Sequence, residues 1–287
     1  MSSQLQANRL LGYSDDARLL IINADDFGMC RAVNEAVIRA FGSGLLCSTT
    51  LMMPCPWALH AVRFLKDHPE IPFGVHLTAI SDSVDYLWRP LTVKEKVSSL
   101  VDQAGYFYTF EQMPEFLAQV SLNHLEREFR AQIEAVFAAG LKPTHLDWHA
   151  LRIGGRADIS EVMLELAKAY GLALRVAGRA HIGRVQSRGL PTNDHDFLDS
   201  YLLESVAKGA RYEQLLRGLP VGLSEWAVHP GLDTPELRAI DPDGTPVRQA
   251  DFDFLVSPKA KETVEEEGIV LLDYRALQTL WSAASPP

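Results

Sequence analysis

The reactive side chains of this sequence fall at the ends, or in the middle, of apolar runs. Asp25 and Asp26 close "RLLIINADD". His76 sits inside "GVHLT", and His145, Asp147 and His149 alternate through "THLDWH". Arg175 lies in "LALRV" and His229 in "AVHPG". If these runs are strands, side chains two apart share a face, so His145, Asp147 and His149 point the same way. A lone histidine in an apolar strand is more often a satisfied core residue than a ligand. Several strands carrying such groups at comparable depth shift the balance toward a metal site. One carboxylate and two neutral imidazoles supply three ligands and leave positions open for water and substrate. That set suits Zn²⁺, Fe²⁺, Co²⁺, or a more loosely held Mg²⁺ or Mn²⁺. A metal lowers the pKa of water and polarises a carbonyl, and a second carboxylate nearby can take the proton. The combination fits amide or ester hydrolysis.

The elements that must position these groups are legible as a rhythm. Short apolar runs bounded by Gly and Pro alternate with 3.6-period stretches: "RLLIINAD", "LLCSTTLMM", "PFGVHLTAI", "PTHLDWHA", "LALRVAG", "LSEWAVHPG" and "GIVLLDY" read as strands. "NEAVIRAFGSG", "WALHAVRFLKDHP", "ADISEVMLELAKAYG" and "RALQTLW" read as helices. This pattern implies parallel strands with crossover helices. Seven strands approach the eight of a TIM barrel, where chemistry collects at the C-terminal strand ends. An open doubly wound sheet competes, but no Gly-rich dinucleotide turn follows the first strand. No repeat or linker divides the chain, so residues 1–287 are expected to form one (β/α) barrel domain. The stretch around 81–123 is too long for a simple loop and should form a lid-like excursion. Its aromatics (Tyr86, Trp88, Tyr106, Phe107, Tyr108) could stack on a substrate, although such residues more commonly pin an excursion to the body.

Two motifs are decoys. "DFG" lacks a preceding Gly-rich loop and the other kinase segments, and Ser48 lacks a glycine-flanked elbow. The formal net charge of -10 argues against a protein that holds nucleic-acid phosphates on a basic face. Cys30, Cys47 and Cys55 form neither a spaced ligand set nor an even disulfide framework, which points to a reducing compartment. No basic-then-apolar leader opens the chain and no run reaches about 18 apolar residues. The chain is therefore expected to be soluble, cytoplasmic and independent of membranes; a homodimer is compatible with the sequence.

"NADDFG", "STTLMM", "GVHLT", "PTHLDWH" and "HPG" occur in the order seen in the YdjC/ChbG-like family of carbohydrate deacetylases, and the chain resembles that family from roughly Arg18 to the terminal helix. The resemblance implies a distorted TIM-like (β/α) barrel related to polysaccharide deacetylases. It also implies metal-dependent removal of an N-acetyl group from an amino sugar or short oligosaccharide, with Zn²⁺ or Mg²⁺ the leading ions. Carried over by position, Asp26, His76 and His149 resemble the metal ligands and Asp25 the catalytic base. His229 matches a position that could protonate the leaving amine or steady the oxyanion. His145, Asp147 and Arg175 are then candidates for orienting a ligand or Asp25, or for meeting substrate; as structural residues they would be a buried polar pair and an ion pair. The chain departs from the family after His149. It reads Ala150-Leu151-Arg152, then "IGGR", where many members carry further histidines, so its substrate face should differ. Hydrolysis of another amide or of a phosphoester, and non-catalytic sugar binding, are the rival readings.

Overall fold

The computed structural model describes residues 6–151 and 156–284. Arg152, at the family departure noted above, and residues 153–155 lie outside the described residues. All seven expected strands form: β1 (Arg18–Phe27), β2 (Ser48–Leu51), β3 (Phe73–Leu77), β4 (His145–Trp148), β5 (Ala173–Leu174), β7 (Gly222–Val228) and β8 (Val270–Leu271). One further two-residue strand, β6 (Leu198–Asp199), lies between β5 and β7, where no strand was expected.

Every pairing among these strands is parallel. The strands follow the order β5-β4-β3-β2-β1-β7-β6. β7 pairs with β1 from Arg18 to Ala24, while β8 takes Leu19 and Leu20, and β2 begins at Asn23. A strand has two edges, so β8 and β2 share one edge of β1 in succession. The result is an incomplete parallel barrel of α/β class, wrapped by crossover helices. β1 is buried over nine of its ten residues, as a central parallel strand covered on both faces must be.

Register sets depth. His76 pairs with Asp147 across β3 and β4, Arg175 N donates to the Leu146 carbonyl, and His149 N donates to the Leu77 carbonyl. The polar side chains of neighbouring strands therefore meet at the same C-terminal end.

Part of the long interruption before β4 is a 17-residue helix, Leu122–Ala138, which the strand-to-strand reading left unassigned. Its buried Gln132 accepts from Thr78 N and donates to Thr78 O. Its Glu128 accepts from the Leu91 and Thr92 N–H groups. The 81–123 segment is thus held to this helix at Leu91 and Thr92, and within it Ser81 bridges to Tyr108 and Phe110. Its aromatics pin it. The Tyr86 hydroxyl donates to Met29 O, Trp88 meets the His149 ring edge-on, and Phe107 and Tyr108 are buried. Among the described residues no helix is long and apolar enough to cross a membrane. The cysteines are unpaired, with Cys30 and Cys55 buried.

Candidate metal centre

Adjacent residues of a regular strand point to opposite faces. Asp25 and Asp26 do not, because β1 is bulged there. Ala24 pairs with Thr49 and Phe27 with Leu51, so the two aspartates together oppose one residue of β2. Asp26 takes up the extra residue in the left-handed region, with φ of 69°, a conformation that short polar side chains tolerate better than others. Both carboxylates then line one cavity of about 340 Å³ with His76, His149, Arg175 and His229. Gly28 ends the bulge at φ of 103°, where a Cβ would lie 3.1 Å from Met52 O.

Asp26 Oδ1 lies 3.3 Å from His76 Nε2 and 3.0 Å from His149 Nδ1, and the three ligand atoms fall within 4.8 Å of one another. Ligand bonds of about 2.1 Å at a tetrahedral ion would place neighbouring donors roughly 3.4 Å apart, so the set fits one divalent cation. The tautomers fit as well. His76 Nδ1 is 2.7 Å from Asp147 Oδ1, and His149 Nε2 is 2.7 Å from Asp82 Oδ1. An ionised carboxylate can only accept, so each of these nitrogens carries hydrogen. With an ion bound between the two rings and Asp26, the opposite nitrogen of each neutral ring would offer it a lone pair. Carboxylate–imidazole pairs of this kind orient metal-binding histidines.

Burial would strip protons from both rings, but the carboxylates prevail. Asp147, helped by Asp26 and Asp25, raises His76 to about 10. Asp82 and Asp26 raise His149 to about 9. A site that gathers enough negative charge to hold two extra protons is one where a cation can replace them.

Arg175 forms the second layer. It binds Asp25 through both oxygens at 2.7 and 2.8 Å, and also reaches Asp147 at 2.9 Å and Glu225 at 2.6 Å. All four are buried. Burial opposes the charge on Asp25, yet the Arg175 guanidinium holds its carboxyl well below the usual carboxylate range, while burial raises Glu225. Asp25, His76 and Asp147 could formally bind a second ion. Arg175 already lies between the two carboxylates as their counter-cation. Asp26 has its own, Arg248 Nη2, at 2.8 Å from Oδ2.

His229 Nε2 reaches the cavity 3.8 Å from Asp25 Oδ2. His145 does not reach it. Its ring stacks on Tyr274 at a centroid distance of 3.6 Å and bonds to Thr144, and a Cβ on Gly74 would lie 2.6 Å from it. It sits two residues deeper along β4, as the alternation requires, and burial keeps it neutral, its pKa well below the ordinary histidine value. Asp147 and Arg175 do meet His76 and Asp25.

Sequence reasoning missed Asp82, Arg248, Ser200 and Asp251. Asp82 lies just past β3, at the end of the barrel where function collects. Arg248 and Asp251 share the buried face of the helix Thr245–Leu255 with Phe254 and Leu255. Charges interrupting an apolar stripe were the available signal.

Fold and site together define an α/β-barrel protein with a buried carboxylate–imidazole centre at its C-terminal strand ends. The family model described as YdjC-like protein matches residues 19–266, and the chain belongs to that family. It is 33% identical over 265 residues to a carbohydrate deacetylase of Geobacillus stearothermophilus, covering 92% of this chain and 99% of the relative. A chitooligosaccharide deacetylase of Yersinia enterocolitica is 28% identical, with 90% and 98% covered. A crystal structure of a protein from Enterococcus faecalis V583 superposes with a TM-score of 0.80 at 31% identity, covering 91% of this chain and 99% of that one.

Proposed function

We propose that this protein hydrolyses the N-acetyl group of an amino sugar or short oligosaccharide with the help of one divalent ion, releasing acetate. The observation that carries the reading is the division of labour in β1. Asp26 joins His76 and His149 around one point, while Arg175 holds the neighbouring Asp25 apart, ionised, beside His229. The named activities of the relatives agree with it.

Asp26, His76 and His149 would hold the ion, with Zn²⁺ or Mg²⁺ the best candidates. When bound, it polarises the acetyl carbonyl and acidifies water. Asp25 Oδ2 takes a proton from the attacking water as its oxygen bonds to the carbonyl carbon. Asn23 and Arg175 keep Asp25 aimed during that step, through bonds of 2.8 and 2.7 Å. His229 then donates a proton to the nitrogen as the C–N bond breaks.

Phe110, Trp148, Phe197 and Tyr201 wall the cavity and suit the apolar faces of a sugar ring. We infer further that the chain works as one barrel unit. The 81–123 segment would serve as its lid, since Asp82 and Phe110, both within it, line the cavity.

The test is acetate release from a panel of N-acetylated mono- and oligosaccharides, with and without a chelator. Chelator-sensitive release from at least one sugar is expected. Release that a chelator leaves untouched, or phosphate release from phosphorylated sugars without any acetate, would remove the reading.

A further inference from the structure

His229 is gripped from behind by residues of two other elements. Ser200, in the turn after β6, places Oγ 2.8 Å from His229 Nδ1 and 2.6 Å from Asp251 Oδ2. The same Oδ2 accepts the backbone N–H of His229 at 2.8 Å. Asp251 Oδ1 faces the Tyr212 hydroxyl at 2.8 Å and Lys208 Nζ at 2.6 Å. Ser200, Asp251, Tyr212 and Lys208 are all buried, so no solvent competes for these bonds.

The hydrogen count fixes the direction of the chain. A serine hydroxyl has one hydrogen, and a carboxylate surrounded by donors can only accept. The Ser200 hydrogen therefore points at Asp251, and Oγ turns only lone pairs toward the imidazole. His229 must carry hydrogen on Nδ1. In the neutral ring Nε2 is then bare, and Nε2 is the nitrogen 3.8 Å from Asp25 Oδ2. The opposite tautomer would set two lone pairs against each other inside a buried contact.

We propose that Ser200 and Asp251 are positioning residues that lock His229 in its Nδ1–H form, making Nε2 the one atom through which His229 passes a proton. The proposal rests on the deacetylase reading for its reaction. In that reaction Asp25 removes a proton from water while the remaining hydroxyl bonds to the acetyl carbon. The proton moves from Asp25 to the bare Nε2. His229 then gives it to the sugar nitrogen, which keeps the electron pair of the breaking C–N bond, and the acyl group leaves as acetic acid, which ionises to acetate in solution. Asp25 returns as carboxylate and His229 as the same neutral tautomer, with no ring flip in the cycle.

The experiment is ¹⁵N NMR of the protein labelled at histidine, with kinetics of Ser200→Ala and Ser200→Thr. Neutral His229 should show a protonated Nδ1 and an unprotonated Nε2. Ser200→Ala should mix or invert the tautomers and lower kcat by about tenfold or more, with KM within about twofold. Ser200→Thr, which keeps the hydroxyl, should restore both. Hydrogen on Nε2 of neutral His229 in the unsubstituted protein overturns the proposal without any variant, as does a Ser200→Ala protein with unchanged tautomer and kcat. The two readings fail separately: without acetate release the reaction falls, yet the tautomer still reports on the lock.

Discussion

Asp25 and Asp26 are neighbours in sequence, yet each meets a different arginine, Arg175 for one and Arg248 for the other. Asp26 Oδ1, the oxygen Arg248 does not hold, lies 3.3 and 3.0 Å from two imidazole nitrogens. Asp26→Asn should therefore cost the metal itself, measured as bound ion per chain after dialysis. Asp25→Asn should keep stoichiometric metal while acetate release falls by about a hundredfold or more, the usual scale for losing a positioned base. Equal metal loss in both variants would show that the pair acts as one ligand. Asp82 makes a finer test. It touches His149 on the nitrogen turned away from Asp26. Removing that acceptor in Asp82→Ala should weaken metal binding by roughly 10- to 100-fold, as seen when such partners are lost, and a competition titration against a chelator reads it.

At the scale of elements, the bulge in β1 turns a strand end into a site, and glycines elsewhere make room for what surrounds it. Gly74 is bare because the His145 ring occupies the space where its Cβ would go, sandwiched toward Tyr274. Gly74→Ala should destabilise the fold by about 1–3 kcal/mol through overpacking. In the double variant with His145→Ala the two costs should fail to add, because the clash disappears. Urea melts of the four proteins measure that coupling. Additive costs would place His145 elsewhere than over Gly74.

This division also explains what could be read in advance. The buried strands are continuous apolar runs, so β1, β3, β4 and β7 and the polar residues they carry were visible in one dimension. The bulge was not, since nothing in "NADDFG" says that both aspartates turn inward. Ser200, Arg248 and Asp251 reach the site from a turn and a helix. Their relevance depends on how the barrel closes, which no local period encodes.

Across the whole molecule, carboxylates outnumber their fixed counter-ions at the core of the site. Asp25, Asp147 and Glu225 share Arg175, and Asp26 and Asp241 share Arg248. The remaining charge must be met by protons on His76 and His149 or by a divalent ion, and the ion would tie β1 to β3 and to the end of β4. Those ligands are far apart in sequence, so an unfolded chain cannot bind the ion in the same way, and binding should act as folding free energy. At a free-metal concentration one hundred times Kd the gain is about 2.7 kcal/mol. Thermal melts should rise by a few degrees when Zn²⁺ or Mg²⁺ is titrated in and fall again with chelator. Asp25→Asn should keep the rise, whereas Asp26→Asn should lose it. If Asp26→Asn melts rose as much as the parent's, the ion would be binding somewhere other than between these three strands.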